Sequence, residues 1–199
     1  MTDPILLASA STIRADLLRA AAVPFDVVPA HVDEEAMRAA LRVEAATPRD
    51  VADALAEMKA IKVSSKHPDA LVIGCDQVLS YDGQLLAKPT SPENAVEQLR
   101  TLRGEVHRLL SASVVCRAGV PQWRHVGVVR MHMREVSDDY LDAYVARNWD
   151  DIRHCVGCYQ IEAEGVRLFH RIEGSLFDVQ GLPLLELLSW LAARGAIEG

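Results

Sequence analysis

Ile5-Leu6-Leu7-Ala8-Ser9-Ala10-Ser11-Thr12-Ile13-Arg14 decides the fold class. Ile5 to Ala8 is a short unbroken apolar run, as in an interior strand, and Thr12 to Ala22 repeats Leu17, Leu18 and Ala21 at helical spacing. A strand that passes into a helix over Ser9-Ala10-Ser11 opens an α/β unit. The junction also presents hydroxyls, backbone N–H groups and one guanidinium beside a helix N-terminus, which can hold a phosphate. Ser and Thr in such a place equally serve as a helix cap, so the stretch alone leaves both readings open.

Outward from there, Pro24 ends the helix and Phe25 to Val28 reads as extended. A polar stretch from His31 to Glu35 leads into a helix over Ala36 to Glu44. Thr47-Pro48-Arg49-Asp50 places Pro just after a capping residue and opens a long helix through Ser65. Leu71-Val72-Ile73-Gly74 predicts a second interior strand ending at Asp76, and Asp82-Gly83 between Val78-Leu79 and Leu85-Leu86 predicts a hairpin. Ser91-Pro92-Glu93 starts a helix to Arg103. His107 to Val115 and Trp123 to Met133 read as long strands around a turn at Gly119-Val120-Pro121. Ser137 caps a helix through Arg147, Val166 to Ile172 alternates like a strand, and Gly181-Leu182-Pro183 opens a final helix. No repeat or long linker interrupts the pattern. The expectation is one α/β domain over residues 1–199, with a mixed sheet flanked by helices and room for two lobes around a cleft.

A chain of 199 residues, half of them hydrophobic, can bury a substantial core. Its net charge of -7 and scattered Lys and Arg exclude a general surface for polymeric nucleic acid, yet a few converging cations still suffice for a phosphorylated small molecule. The start, Met1 to Ala10, has no basic leader, so no signal peptide is expected. Leu182 to Ala193 is broken by Glu186 and far shorter than the roughly 20 apolar residues of a membrane span. A cytoplasmic protein without a membrane segment, its four cysteines reduced, is the expectation. Cys155-Val156-Gly157-Cys158 has the spacing of a redox or zinc half-site, but no second Cys pair follows, which favours small buried residues.

Asp76, expected at the end of a buried strand, is a carboxylate placed where α/β sheets bind ligands. Asp33, Glu34 and Glu35 add acidic oxygens in an expected loop, and hard oxygen ligands favour Mg²⁺ or Mn²⁺. Lys59 and Lys88-Pro89 offer cations for phosphate charge, although a lone Lys is more often a solvated amine. The chain lacks a P-loop, a Gly-x-Gly-x-x-Gly fingerprint, a His-Glu-x-x-His helix and a Gly-x-Ser-x-Gly elbow. His107 and His132 fall in expected strands and read as readily as structural residues.

Together these segments resemble the Maf family of nucleotide pyrophosphatases, nearly end to end. The carriers are Leu7 to Arg14, Val32-Asp33-Glu34, Leu55-Ala56-Glu57-Met58-Lys59-Ala60, Ile73-Gly74-Cys75-Asp76-Gln77-Val78, Lys88-Pro89, Gly157-Cys158-Tyr159, Ile172-Glu173-Gly174 and Val179 to Leu184. The resemblance implies an elongated α/β fold related to inosine triphosphate pyrophosphatases, with a central mixed sheet flanked by helices. It implies hydrolysis of a nucleoside triphosphate to monophosphate and pyrophosphate by attack of water at the α-phosphorus. Carried over by position, Asp76, Lys88 and Glu34 are catalytic, Ser9, Arg14, Lys59 and Glu162 bind substrate, and Asp76 and Glu34 hold Mg²⁺ or Mn²⁺. Asp76 serves as general base or as metal ligand. A homodimer is implied as well.

The resemblance departs at Thr12-Ile13, where the family usually has Pro-Arg, so one cation is missing from the phosphate loop. Ser111-Ala112 stands where Thr-Gly is usual, and Ser175 follows Gly174 where an acidic or amide residue is common. Asp76-Gln77-Val78, Glu162 and His132 resemble the branch acting on 7-methyl-GTP more than the branch acting on dTTP and UTP. A carboxylate at Glu162 suits the N–H donors and positive charge of a methylated guanine, though a surface residue or an outer metal ligand is equally in keeping with the sequence. The competing class is a non-enzymatic nucleotide-binding regulator of septum formation, which would use the same pocket.

Overall fold

β1 (Ile5–Leu7) and α1 (Thr12–Ala20) form as the opening stretch predicts, with Ser11 capping the helix. The computed structural model describes residues 3–198, so Met1, Thr2 and Gly199 lie outside the described residues. β2 (Asp26–Val27), α2 (Glu34–Val43) and α3 (Pro48–Ser64) follow. Thr47 and Asp50 close a reciprocal capping box at the start of α3, as the Thr-Pro signal predicts. Next come β3 (Leu71–Tyr81), β4 (Gln84–Leu86), α4 (Pro92–Leu102), β5 (Val106–Arg117), β6 (Val120–Met133) and α5 (Asp138–Ile152). A 3₁₀ turn (Glu164–Leu168), β7 (Phe169–Glu173), α6 (Leu176–Val179) and α7 (Leu184–Ala193) complete the chain.

The strands form a seven-stranded sheet in the order β2-β1-β3-β5-β6-β7, with β4 paired to β3. β1 runs parallel to β2 and β3, while β3–β4 and β6–β7 are antiparallel. This is the α/β architecture with a mixed sheet that the sequence predicts. No helix among the described residues is long and apolar enough to cross a membrane.

The chain divides into two compact units. The first takes the chain up to Gln77, Leu110–Gly127 and the chain from Ser175. Its main core gathers Leu7, Leu18, Leu71, Ile73, Leu187 and Leu191, while Leu6, Ala8, Val63 and Val72 form a smaller apolar cluster. Successive residues of β1 and β3 divide between these clusters, as side chains on alternate faces of a strand must. The second unit comprises Val78–Leu109 and Val128–Gly174. There α4 buries Leu99 and Leu102, α5 buries Leu141 and Tyr144, and Arg100 of α4 and Arg103, which caps that helix, reach Asp138 of α5 at 3.0 and 2.9 Å.

Four expectations need correction. β3 does not end at Asp76 but runs on to Tyr81, because Gly74 and Asp76 interrupt the apolar pattern without interrupting the strand. Glu34 and Glu35 are not in a loop: Asp33 caps α2 through the Ala36 N–H at 2.9 Å, and both glutamates lie in its first turn, where the helix dipole favours them. The β5–β6 turn sits at Ala118-Gly119, both at positive φ, one step earlier than predicted. Val166 to Leu168 is a 3₁₀ turn, so the strand begins at Phe169; apolar Val166 and Leu168 on either side of Arg167 read as alternation, yet Val166 is exposed and Leu168 buried, which two residues on one strand face would not be.

Candidate functional site

β1 stops at Leu7, and a last bond from the Ala8 N–H to the Ile73 carbonyl at 2.8 Å holds the chain on β3 before it leaves at Ser9. β3 continues past that point. The next carbonyl toward the departed strand, Cys75 O, accepts side-chain donors: Arg14 Nη1 at 3.1 Å and Lys59 Nζ at 3.5 Å. Two cations are thus drawn to the C-terminal edge of a parallel strand, the usual ligand position in α/β sheets.

Arg14 is held from several sides. Its Nε donates to the Gly181 carbonyl at 2.8 Å, and Nη1 donates also to Ser9 Oγ at 3.4 Å. Ser9 Oγ accepts the Ser11 N–H at 3.2 Å, and Ser11 Oγ accepts the Arg14 N–H at 3.4 Å. These bonds orient the guanidinium beside the N-terminus of α1, where anions are favoured.

Below this loop lies a network of opposite charges. Lys59 Nζ reaches Asp76 Oδ1 at 2.7 Å and Glu34 Oε1 at 2.8 Å, and Arg38 Nη2 donates to Asp76 Oδ2 at 3.1 Å. Lys59 and Asp76 are both buried, and charges can stay in such a place only when paired. Gly74 makes the pairing possible. A Cβ there would lie 2.2 Å from Ala56 O and 2.7 Å from Ala60 N, so α3 presses on β3 where only a glycine fits. Two residues along the same face, Asp76 then meets Lys59.

The first unit therefore brings together Ser9, Arg14, Glu34, Lys59 and Asp76. Lys88 belongs to the second unit, exposed in the coil after β4, and Glu162 to an exposed turn of that same unit. Sequence reasoning missed Arg38. Its spacing of four from Glu34, one helical turn, is the signal that would have found it.

Neighbouring groups support the site rather than join it. Cys75 packs in the core with its Sγ 3.7 Å from Ser113 Oγ, and burial pushes its thiol pKa up, so it is no nucleophile. The amide nitrogen of Gln77 is engaged within the protein: Nε2 donates to Ser111 Oγ at 2.9 Å and to the carbonyls of Asp178 and Val179 at 3.0 Å. It clamps the segment that leads to Gly181 and hence to Arg14. Cys158 is buried, its thiol pushed up to about 12 by that burial, and the Cys155 thiol is raised for the same reason.

Among the described residues no three His, Cys, Asp or Glu side chains converge on a point that could take a metal. Mg²⁺ does not need three: it commonly takes one or two carboxylates and completes its octahedron with water and substrate phosphates. Asp76 and Glu34, each within 2.8 Å of one Lys59 Nζ, fit that donor set.

Asp178 adds a pH dependence. It is buried, one carboxylate oxygen lacks a partner, and burial, reinforced by Glu186 against the opposing His125, raises its pKa to about 6. The folded chain therefore keeps a proton that the unfolded chain loses near pH 3.8, which opposes folding increasingly between these values and fully above about 6. Asp178→Asn should stabilise the protein by about 1 kcal/mol at pH 8, with no gain below pH ~3.8. Melting temperatures of both proteins across that range test it, and a gain that persists at low pH would contradict it.

Comparison with known proteins now bears on this geometry. A model of the family described as Maf-like protein matches residues 4–194. The chain is 60% identical over 198 residues to a nucleoside triphosphate pyrophosphatase of Ruegeria pomeroyi, covering 100% of both chains. It is 59% identical to the protein of the same name from Roseobacter denitrificans, with 98% of each covered. It is also 44% identical to a 7-methyl-GTP pyrophosphatase of Brucella abortus biovar 1, again over 100% of both.

Proposed function

The chain belongs to the Maf family and is a nucleoside triphosphate pyrophosphatase, and from that premise we propose that it hydrolyses 7-methyl-GTP to 7-methyl-GMP and pyrophosphate at the charge network of Lys59, Asp76 and Glu34. The observation that carries the site is the buried Lys59–Asp76 pair beside the phosphate-holding loop of Ser9 and Arg14. The choice of 7-methyl-GTP has two supports: the resemblance at Asp76-Gln77-Val78, Glu162 and His132, and the 44% identity to relatives named for that substrate. The Nε2 of Gln77 is spent on the protein itself, so that nitrogen supports the choice only through the fold.

Ser9, Arg14 and the N-terminus of α1 bind the phosphates, with the guanidinium preset by Gly181 O and Cys75 O. Asp76 orients the attacking water and accepts its proton as general base, or else, with Glu34, would hold the ion that lowers the water's pKa. Water adds to the α-phosphorus, the α–β bridging bond breaks, and the electron pair leaves on pyrophosphate, whose charge Lys59 and Arg14 stabilise. Mg²⁺ or Mn²⁺ held by Asp76 and Glu34 would supply Lewis acidity to the phosphate oxygens. Lys88, in catalysis, and Glu162, at the base, are assigned by the resemblance alone, as is the homodimer.

Chromatography of the products is the test. The expected result is monophosphate and pyrophosphate, with 7-methyl-GTP giving the highest kcat/KM in a panel that includes GTP, dTTP and UTP. Orthophosphate and a diphosphate as first products would overturn the site of attack, and a preference for dTTP or UTP would overturn the substrate.

A further inference from the structure

Both oxygens of Asp76 are occupied by cations, Oδ1 by Lys59 and Oδ2 by Arg38. Each oxygen keeps a lone pair, but two cations against one carboxylate weaken its pull on a metal ion and on the proton of water, so turnover is favoured when one of them leaves. The two are unequally held. Lys59 is buried on α3 and is shared by Asp76, Glu34 and the Cys75 carbonyl. Arg38 has a side chain 31% exposed and sits on α2, a helix with no buried residue. A groove of about 420 Å³, lined by Ala36, Met37, Ala40, Met58 and Lys62, runs along that helix, so α2 lacks the buried apolar side chains that fix α3.

From this inequality we propose that Arg38 is a substrate-binding residue that exchanges Asp76 for the triphosphate in each catalytic cycle. A guanidinium suits that exchange. It forms bidentate charge-assisted bonds to phosphate, so a polyanion arriving at Ser9 and Arg14 competes with one carboxylate oxygen for it. As Arg38 moves to phosphate, Asp76 Oδ2 is released for the water or ion it must serve. Arg38 would thereby supply, from α2, a cation that Thr12-Ile13 does not contribute to the loop. The inference rests on the proposed function and adds a residue and an order of events to it.

The test compares Arg38→Ala, Arg38→Lys and the parent by calorimetric binding of a GTP analogue with a methylene bridge between the α- and β-phosphorus, and of GMP, in excess Mg²⁺. Arg42→Ala, an exposed position one turn further along α2, removes the same charge without a contact to Asp76 and controls for the general field. Arg38→Ala should bind the triphosphate analogue about 10- to 100-fold more weakly, the scale of one charged hydrogen bond, and GMP within about twofold of the parent. Arg38→Lys should recover part of the loss, and Arg42→Ala should show almost none. Should Arg38→Ala fail to fold, Arg38→Gln is measured in its place. Unchanged triphosphate affinity, an equal loss for GMP, or an equal loss in Arg42→Ala would each overturn the proposal. If the parent releases pyrophosphate while any of these holds, only the role of Arg38 falls; a parent that releases none overturns the proposed function itself, and this inference with it.

Discussion

Asp76→Asn should slow pyrophosphate release about 100-fold, equivalent to ~2.7 kcal/mol of transition-state stabilisation, while the protein stays folded. Asn keeps the shape of the side chain and an oxygen acceptor for Lys59, but not the charge that draws an ion or takes a proton from water. Lys59 retains Glu34 as a partner, so the variant does not strand a buried cation. Cys75→Ala is the matching control: it opens a small gap in the core that Cys75 shares with Val115 and Ile73, at a cost of about 1–2 kcal/mol, without touching the charges. Initial rates with excess Mg²⁺, read beside circular dichroism and melting curves, separate the two. A folded Asp76→Asn with parental turnover would place the reacting centre elsewhere.

Gly74→Ala should cost about 3 kcal/mol, a fall in melting temperature of roughly 6–12 °C for a chain of this size. The new methyl group would meet Ala56 O at 2.2 Å and Ala60 N at 2.7 Å, which are helix backbone and cannot turn aside like a flexible side chain. α3 would have to withdraw from β3 and take Lys59 with it. Activity should therefore fall with stability, unlike Asp76→Asn, where the rate falls and the fold remains. Calorimetric melting together with pyrophosphate release checks both halves. A melting temperature within about 2 °C of the parent would mean that α3 does not rest on Gly74.

Much of this protein was legible before any tertiary contact was known. The apolar run Ile5 to Leu7 and the Thr47-Pro48-Arg49-Asp50 cap are local signals, because backbone geometry and capping act over a few residues. The hairpin at Asp82-Gly83 is local in the same way, its partner strands pairing Leu79 with Leu86. The candidate residues Ser9, Arg14, Glu34, Lys59 and Asp76 follow from the family resemblance of their segments, and the first unit brings all five together.

What the sequence could not carry is how those residues engage one another. Asp76 looked like the end of a strand because a charge closes an apolar run; it lies inside β3 because Lys59, 17 residues away, neutralises it. Gln77 looked like part of a substrate signature, and only the tertiary structure shows its amide nitrogen held by Asp178 and Val179, about a hundred positions on. Arg38 carried no motif, and only the approach of α2 to β3 gives it Asp76 as a partner. Composition and periodicity act within a turn or a strand and so determined the elements; ion pairs and close backbone approaches join distant segments, and only the tertiary structure decided which charges meet.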